Sequence, residues 1–189
     1  MNQIEDSVID RLLDARGSSV IVRAMRTFYE DVDRLVARES PTCRNRGVCC
    51  RFGRFGHRLY VTALEVIYYL SLGEVASPEE DDVCPHAKGG RCEVRDRRLL
   101  GCRVFYCDAN TQGWQGPLME RLLTQLRALH AKLGVPYFYA DWMLVLRAFQ
   151  SRDTDASGRR GGDSYLPPIM SQHPNDPRLE LHYDHIRQR

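Results

Sequence analysis

Lysine is nearly missing from this chain. Of its 27 basic residues only Lys88 and Lys132 are lysines, and the rest are arginines. Against 25 acids this leaves a formal net charge of +2, too weak a field to argue for nucleic acid or an anionic membrane as partner. The arginine bias is attributed here to the base composition of the genome rather than to a recognition surface. Long apolar runs are missing too: the stretch from Trp142 to Phe149 is far too short to span a bilayer. The opening Met1–Ser7 is acidic and polar, without the basic segment and apolar run of a secretory signal. The expected compartment is therefore the cytoplasm, where thiols stay reduced. Nor is there a glycine-rich phosphate loop, a G-x-S-x-G elbow or an H-E-x-x-H pair, so the sequence signs of nucleotide binding and conventional hydrolysis are lacking. Cysteine, finally, is absent before residue 43 and after residue 107.

What is present lies between those limits. All 7 cysteines fall in two bursts, Cys43, Cys49 and Cys50 in the first and Cys84, Cys92, Cys102 and Cys107 in the second. A chain of 189 residues, 43% apolar and 28% charged, is of ordinary size for one globular domain and can bury a core without cross-links. The expected organisation is a single domain over 1–189. Residues 43–107 are expected to form its cysteine-bearing region, with a flexible segment at 151–163 and a loosely packed tail to 189.

Around the cysteines the periodicity is helical. Val8, Ile9, Leu12 and Leu13 predict a helix over 2–16, which Gly17 caps. Ser18 or Ser19 caps a second helix to about Arg38, with Ile21, Met25, Phe28, Val32, Leu35 and Val36 on its apolar face. The first burst reads as a loop with glycines at 47, 53 and 56 and five arginines, 44, 46, 51, 54 and 58, without an acid. Those arginines would either offset thiolate charge or simply be solvated. Leu59 to Val61 suggests a short strand, and Thr62 to Glu65 is a capping box that opens a helix closed by Gly73. An exposed acidic linker over 74–82 leads to the second burst, with a Gly89–Gly90 turn and a short strand over 91–94. Gly116–Pro117 is expected to open an amphipathic helix to Leu133, and a buried helix is expected from Asp141 to about Gln150.

Three readings of the thiols compete. Structural disulfides would leave one cysteine over and suit the wrong compartment. Independent core residues would be scattered on helical faces rather than bunched in glycine-bearing loops. Metal ligands explain the bunching, because soft thiolates select zinc, copper(I) or iron–sulfur centres. Only Cys102 and Cys107 have the spacing of an ordinary zinc knuckle, and seven thiols exceed one four-coordinate ion. Two zinc sites, with His57 or His86 completing the second, or one iron–sulfur cluster with structural cysteines beside it, would each account for the number.

The order of these residues resembles that of the YkgJ-like cysteine-cluster proteins, described as zinc- or iron-chelating domains. Their pattern runs C-x2-C-G-x-C-C, a helix, C-P, then a cysteine followed by x-I/V-Y-x-x-R-P-x-x-C-R, an aromatic and often a last cysteine. Cys43, Gly47, Cys49 and Cys50 match it, as do Cys84–Pro85, Cys92, Val94, Arg98, Cys102–Arg103, Phe105 and Cys107. Arg46 stands in place of a cysteine, Arg95 in place of the tyrosine and Leu99 in place of the proline. The resemblance implies metal chelation. Flagellin lysine methylases carry a similar cluster, which implies a protein-modifying enzyme as an alternative.

The remaining polar residues have ordinary readings. His130 is expected to be a surface or partly buried residue of its helix, and His182 and His185 to carry no site. Trp114 and the run Tyr137–Tyr139 are expected to pack over the cluster. The fold expected is mainly α, with helices framing an irregular cysteine-rich metal-binding core and at most short strands. The function expected is zinc or iron–sulfur binding through most of Cys43, Cys49, Cys50, Cys84, Cys92, Cys102 and Cys107. The alternatives are an iron–sulfur redox or protein-modifying enzyme and a zinc-stabilised interaction module. The expected partner is the metal ion, with no membrane and nucleic acid disfavoured.

Overall fold

The computed structural model describes residues 5–108 and 111–156, side chains at 112 and 152–156 excepted. Its elements, in order, are helices α1 (Asp6–Ala15), α2 (Ser19–Arg38) and α3 (Phe52–Phe55), strand β1 (Tyr60–Thr62) and helix α4 (Ala63–Ser71). Strands β2 (Ala87–Lys88) and β3 (Arg91–Cys92) follow, then helices α5 (Leu100–Val104) and α6 (Gln112–Leu133), strand β4 (Tyr139–Asp141) and helix α7 (Trp142–Ala156). The architecture is mainly helical, as expected, with two small antiparallel sheets. The flexible segment expected over 151–163 begins inside α7, which continues as helix through residues 151–156; its remainder and the tail, with His182 and His185, lie outside the described residues.

Helix α4 is the centre of the packing. The capping box forms as predicted: the Thr62 amide donates to Glu65 Oε2 at 2.9 Å, while the Thr62 side chain caps the first turn. Every residue from Ala63 to Leu70 is buried, so the helix has no solvent face. Covers lie on several sides, with α1, α2 and β1 all packed against it, while Leu72, just past its end, is exposed. Complete burial of Leu64, Val66 and Ile67 contributes about 1.5–3 kcal/mol each.

The buried polar groups tie this centre to its neighbours. Glu65, 1% exposed, accepts from the Leu100 amide at 2.8 Å, from the Thr62 hydroxyl at 3.0 Å and from the Tyr29 hydroxyl at 3.4 Å. One carboxylate thereby joins α2, α4 and the N-terminus of α5, where a negative group is favoured by the helix dipole. Arg103 of α5 stacks over the Tyr29 ring at 4.3 Å and donates to Asp33 at 2.6 Å. Asp33, half exposed, is therefore a partner across the interface.

His130 departs from its expected role as well. It is 1% exposed; the Leu64 amide donates to its Nε2 at 3.4 Å, and its Nδ1 lies 3.1 Å from the Val135 carbonyl. Both ring nitrogens serve to dock α6 on the start of α4. Helix α6 itself begins at Gln112, ahead of the expected Gly116–Pro117 start, with Pro117 inside it. Proline there forfeits a single intrahelical bond near the first turns, which the exposed position tolerates. The strand expected over 59–61 is β1, paired with β4 so that Tyr60 faces Asp141 and Thr62 faces Tyr139. Tyr139 consequently stacks on Tyr60, and Tyr137 lies against His130 with Arg127 over its ring. These aromatics fasten the β1–β4 pair and α6.

Candidate metal centre

Two segments deliver the thiols. In the first, Gly47 takes a left-handed conformation, φ +62°, and opens a single 3-10 turn over Val48–Cys50. Arg51 then leads into α3, which a second left-handed residue, Gly56, closes. The expected loop therefore carries two short helical turns, each bounded by a glycine that can adopt positive φ. In the second segment, Gly89 and Gly90, φ +55° and +74°, make the predicted tight turn between β2 and β3. A side chain at Gly47 would come within 2.9 Å of the Gly90 backbone, so the two segments approach at closest backbone range.

Hydrogen bonds fix their relative register. The Cys84 amide donates to the Cys50 carbonyl at 2.8 Å, and the Cys92 amide donates to Asn45 Oδ1 at 3.2 Å. An isolated antiparallel bridge between Arg51 and Val83 continues the seam. Cys102 arrives separately, on α5, whose N-terminus Glu65 holds.

All seven cysteines are free thiols. Cys50 and Cys84 are buried, Cys92 and Cys102 are half-buried, and Cys43, Cys49 and Cys107 are exposed. The Cys50 thiol is in hydrogen-bond contact with those of Cys49, Cys84 and Cys92, and Cys49 also meets Cys107. Five thiols from three stretches of chain are thus linked by contact, and Cys102 lies near enough to Cys49 and Cys92 to feel their charge. Cys43 stands at the edge, its sulfur accepting from Arg95 Nη1 at 3.4 Å. Among the described residues, no group of three His, Cys, Asp or Glu side chains is arranged to hold a metal ion.

Crowding governs the ionisation of these groups. Cys49 is pushed up to about 11: the Cys107 hydrogen bond pulls it down, but the contact with Cys50, burial and neighbouring thiol charge outweigh that pull. Burial pushes Cys102 up to about 12, with Cys49 and Cys92 adding to it. Cys107 is raised by its hydrogen bond with Cys49 and by burial. Cys50 is raised as well, because its contacts with Cys84 and Cys92 and its burial exceed the lowering effect of Cys49. Cys92 is pulled down to about 6, first by the Cys50 hydrogen bond and then, against partial burial, by the Val94 amide and the charges of Arg98 and Arg95. Cys43 is lowered too: partial burial acts upward, but the Arg95 hydrogen bond, the Asn45 amide and both arginine charges prevail. So many adjacent thiols cannot all ionise without a cation among them. The donor set, all soft sulfur, suits zinc, copper(I) or iron–sulfur.

The two candidate histidines are engaged elsewhere. His57 Nε2 lies 3.1 Å from the Cys49 carbonyl, with its ring edge-on to Phe52. His86 Nε2 lies 2.8 Å from the Tyr69 hydroxyl, and burial first, then Arg97 and Lys88, lower its pKa to about 4. Tyr69 was not singled out by the sequence. It packs edge-on to Trp142, carries the Arg97 guanidinium over its ring at 4.1 Å and accepts from the Ala76 amide, which ties the 74–82 segment down beside the second burst. Only its place among other aromatics of a helix was visible beforehand.

Comparison of the chain with protein-family models, with curated proteins and with solved structures gives no match. The resemblance to the cysteine-cluster family therefore rests on the motif residues alone.

Proposed function

We propose that the chain is a metal-binding protein whose cysteine cluster holds zinc or an iron–sulfur centre. The observation that supports this most is the contact chain Cys107–Cys49–Cys50, which branches to Cys84 and Cys92, with Cys102 beside it. Sequence-distant thiols meet there across a seam held by backbone hydrogen bonds and the close approach of Gly47 to Gly90. A bound ion would draw the paired sulfurs inward and take the place of the protons that crowding now retains on them. Cys43, Cys49, Cys50, Cys84, Cys92, Cys102 and Cys107 are the ligand candidates. Cys50, with three thiol neighbours, is the central one and Cys43 the most peripheral. The order of the cysteines, similar to that of the YkgJ-like chelating domains, supports the same reading.

Thiol protection tests it. Protein purified under reducing, oxygen-free conditions is titrated with an aromatic disulfide reagent before and after treatment with a strong chelator. Slow reaction of most thiols, made fast by the chelator, is expected. Equal and rapid reaction in both states would contradict the proposal.

A further inference from the structure

We propose that the cluster takes its metal from, and returns it to, anionic small-molecule complexes in which carboxylates or thiolates hold the ion, rather than exchanging the free dication. The proposal rests on the metal-binding reading and adds the class of donor that reaches the site. Ligand exchange must begin where the sulfurs meet solvent, and Cys43, Cys49 and Cys107 are the exposed ones, with Cys50 and Cys84 buried behind them. Cations surround that face. Arg95 donates to the Cys43 sulfur at 3.4 Å, Arg98 donates to the Cys102 carbonyl at 3.3 Å, and Arg46, itself exposed, lies three residues from both Cys43 and Cys49. Arg44, next to Cys43, is exposed, and among the described residues neither Arg44 nor Arg46 is ion-paired.

The acids nearby do not cancel this charge. Residues 43–58 contain none. In 91–98, Glu93 and Asp96 stand against arginines 91, 95, 97 and 98, and Glu93 lies 3.9 Å from Lys88. Asp108 receives the Thr42 amide beside Cys107; in the acidic run 79–82, Asp81 pairs with Arg147 and Asp82 lies 3.9 Å from Arg58, while Glu80 lines the hollow beside Gly47 and Arg51. A positive face lowers the local concentration of a dication and raises that of an anionic complex, through a field that salt screens over about 10 Å at 0.1 M. In the exchange each sulfur–metal bond forms as a carrier–metal bond breaks. The thiol proton passes to solvent, and the carrier leaves with its donor atoms free.

The test uses the full reduced chain without metal and follows zinc uptake by thiolate–zinc absorbance in the ultraviolet. Zinc is supplied as its one-to-one nitrilotriacetate complex, a monoanion, or as its one-to-one iminodiacetate complex, which is neutral. The uptake rate from the monoanion should fall from low to high salt on the order of 3- to 10-fold, while the rate from the neutral complex should stay nearly constant. Arg44→Gln with Arg46→Gln should remove most of that salt dependence, and the corresponding double lysine variant should keep it. Uptake with the same salt dependence for both complexes, or an unaltered glutamine variant, would overturn this proposal and leave the metal reading intact. No uptake from either complex would overturn both.

Discussion

The backbone amide of Cys84 donates to the carbonyl of Cys50 at 2.8 Å. This bond, the Asn45–Cys92 bond and the approach of Gly47 to Gly90 set the two cysteine segments in register. The seam predicts a sensitive glycine. Gly47→Ala would place a methyl group 2.9 Å from the Gly90 backbone at a residue with φ +62°. A loss of about 1–3 kcal/mol is expected, with faster reaction of the Cys50 and Cys84 thiols. Urea unfolding and thiol titration check it, and unaltered values in both would show that the seam is not under this constraint.

Glu65 tests how the scaffold delivers Cys102. Replacing it with alanine leaves the Leu100 amide, the Thr62 amide and hydroxyl, and the Tyr29 hydroxyl without their acceptor. A destabilisation of about 3–6 kcal/mol is expected from several unmet buried donors. Amide exchange at Leu100 should speed up more than exchange in the middle of α6. A variant that unfolds at the same urea concentration as the parent would remove Glu65 from this role.

The protein should lose stability on the acid side through His130. Burial first lowers its pKa from 6.5, with the Val135 and Pro136 carbonyls acting in the other direction. The folded state thus favours the neutral ring, whose Nε2 accepts from Leu64. Its contribution is complete above the unfolded value of about 6.5 and declines as pH falls below it. His130→Gln should be less stable at neutral pH but should show a shallower decline between pH 7 and pH 5. Parallel decline of both proteins, followed by urea midpoints, would assign the acid sensitivity to other groups.

Among the cysteines, Cys49→Ser and Cys102→Ser should each lose metal and stability together, because structural metal affinity is folding free energy. Metal content and thermal midpoint on the same preparations decide this. Full metal retention in either variant would remove that residue from the ligand set.

Part of this structure was legible beforehand for local reasons. The capping box at Thr62 and Glu65, the Gly17–Ser18 junction between α1 and α2, and the Gly89–Gly90 turn all depend on neighbours within four residues. What escaped was long-range. Nothing local indicates that α4 is covered all round, that His130 reaches the start of α4, or that a three-residue strand at 139–141 pairs with β1. The clustering of thiols was readable from their spacing. Which thiols touch was not, because Cys107 meets Cys49 across the fold, and its neighbour Arg46 occupies a position where the motif calls for cysteine.

The central claim is tested most directly by the content of metal and acid-labile sulfide per chain. Protein for this is purified without oxygen or a metal-binding tag, and a visible spectrum is recorded. A thiolate-held soft metal is predicted, either zinc at about one or two ions per chain by the four-ligand rule or iron accompanied by sulfide and visible absorbance. Protein without metal, in which all seven thiols titrate freely, would contradict it.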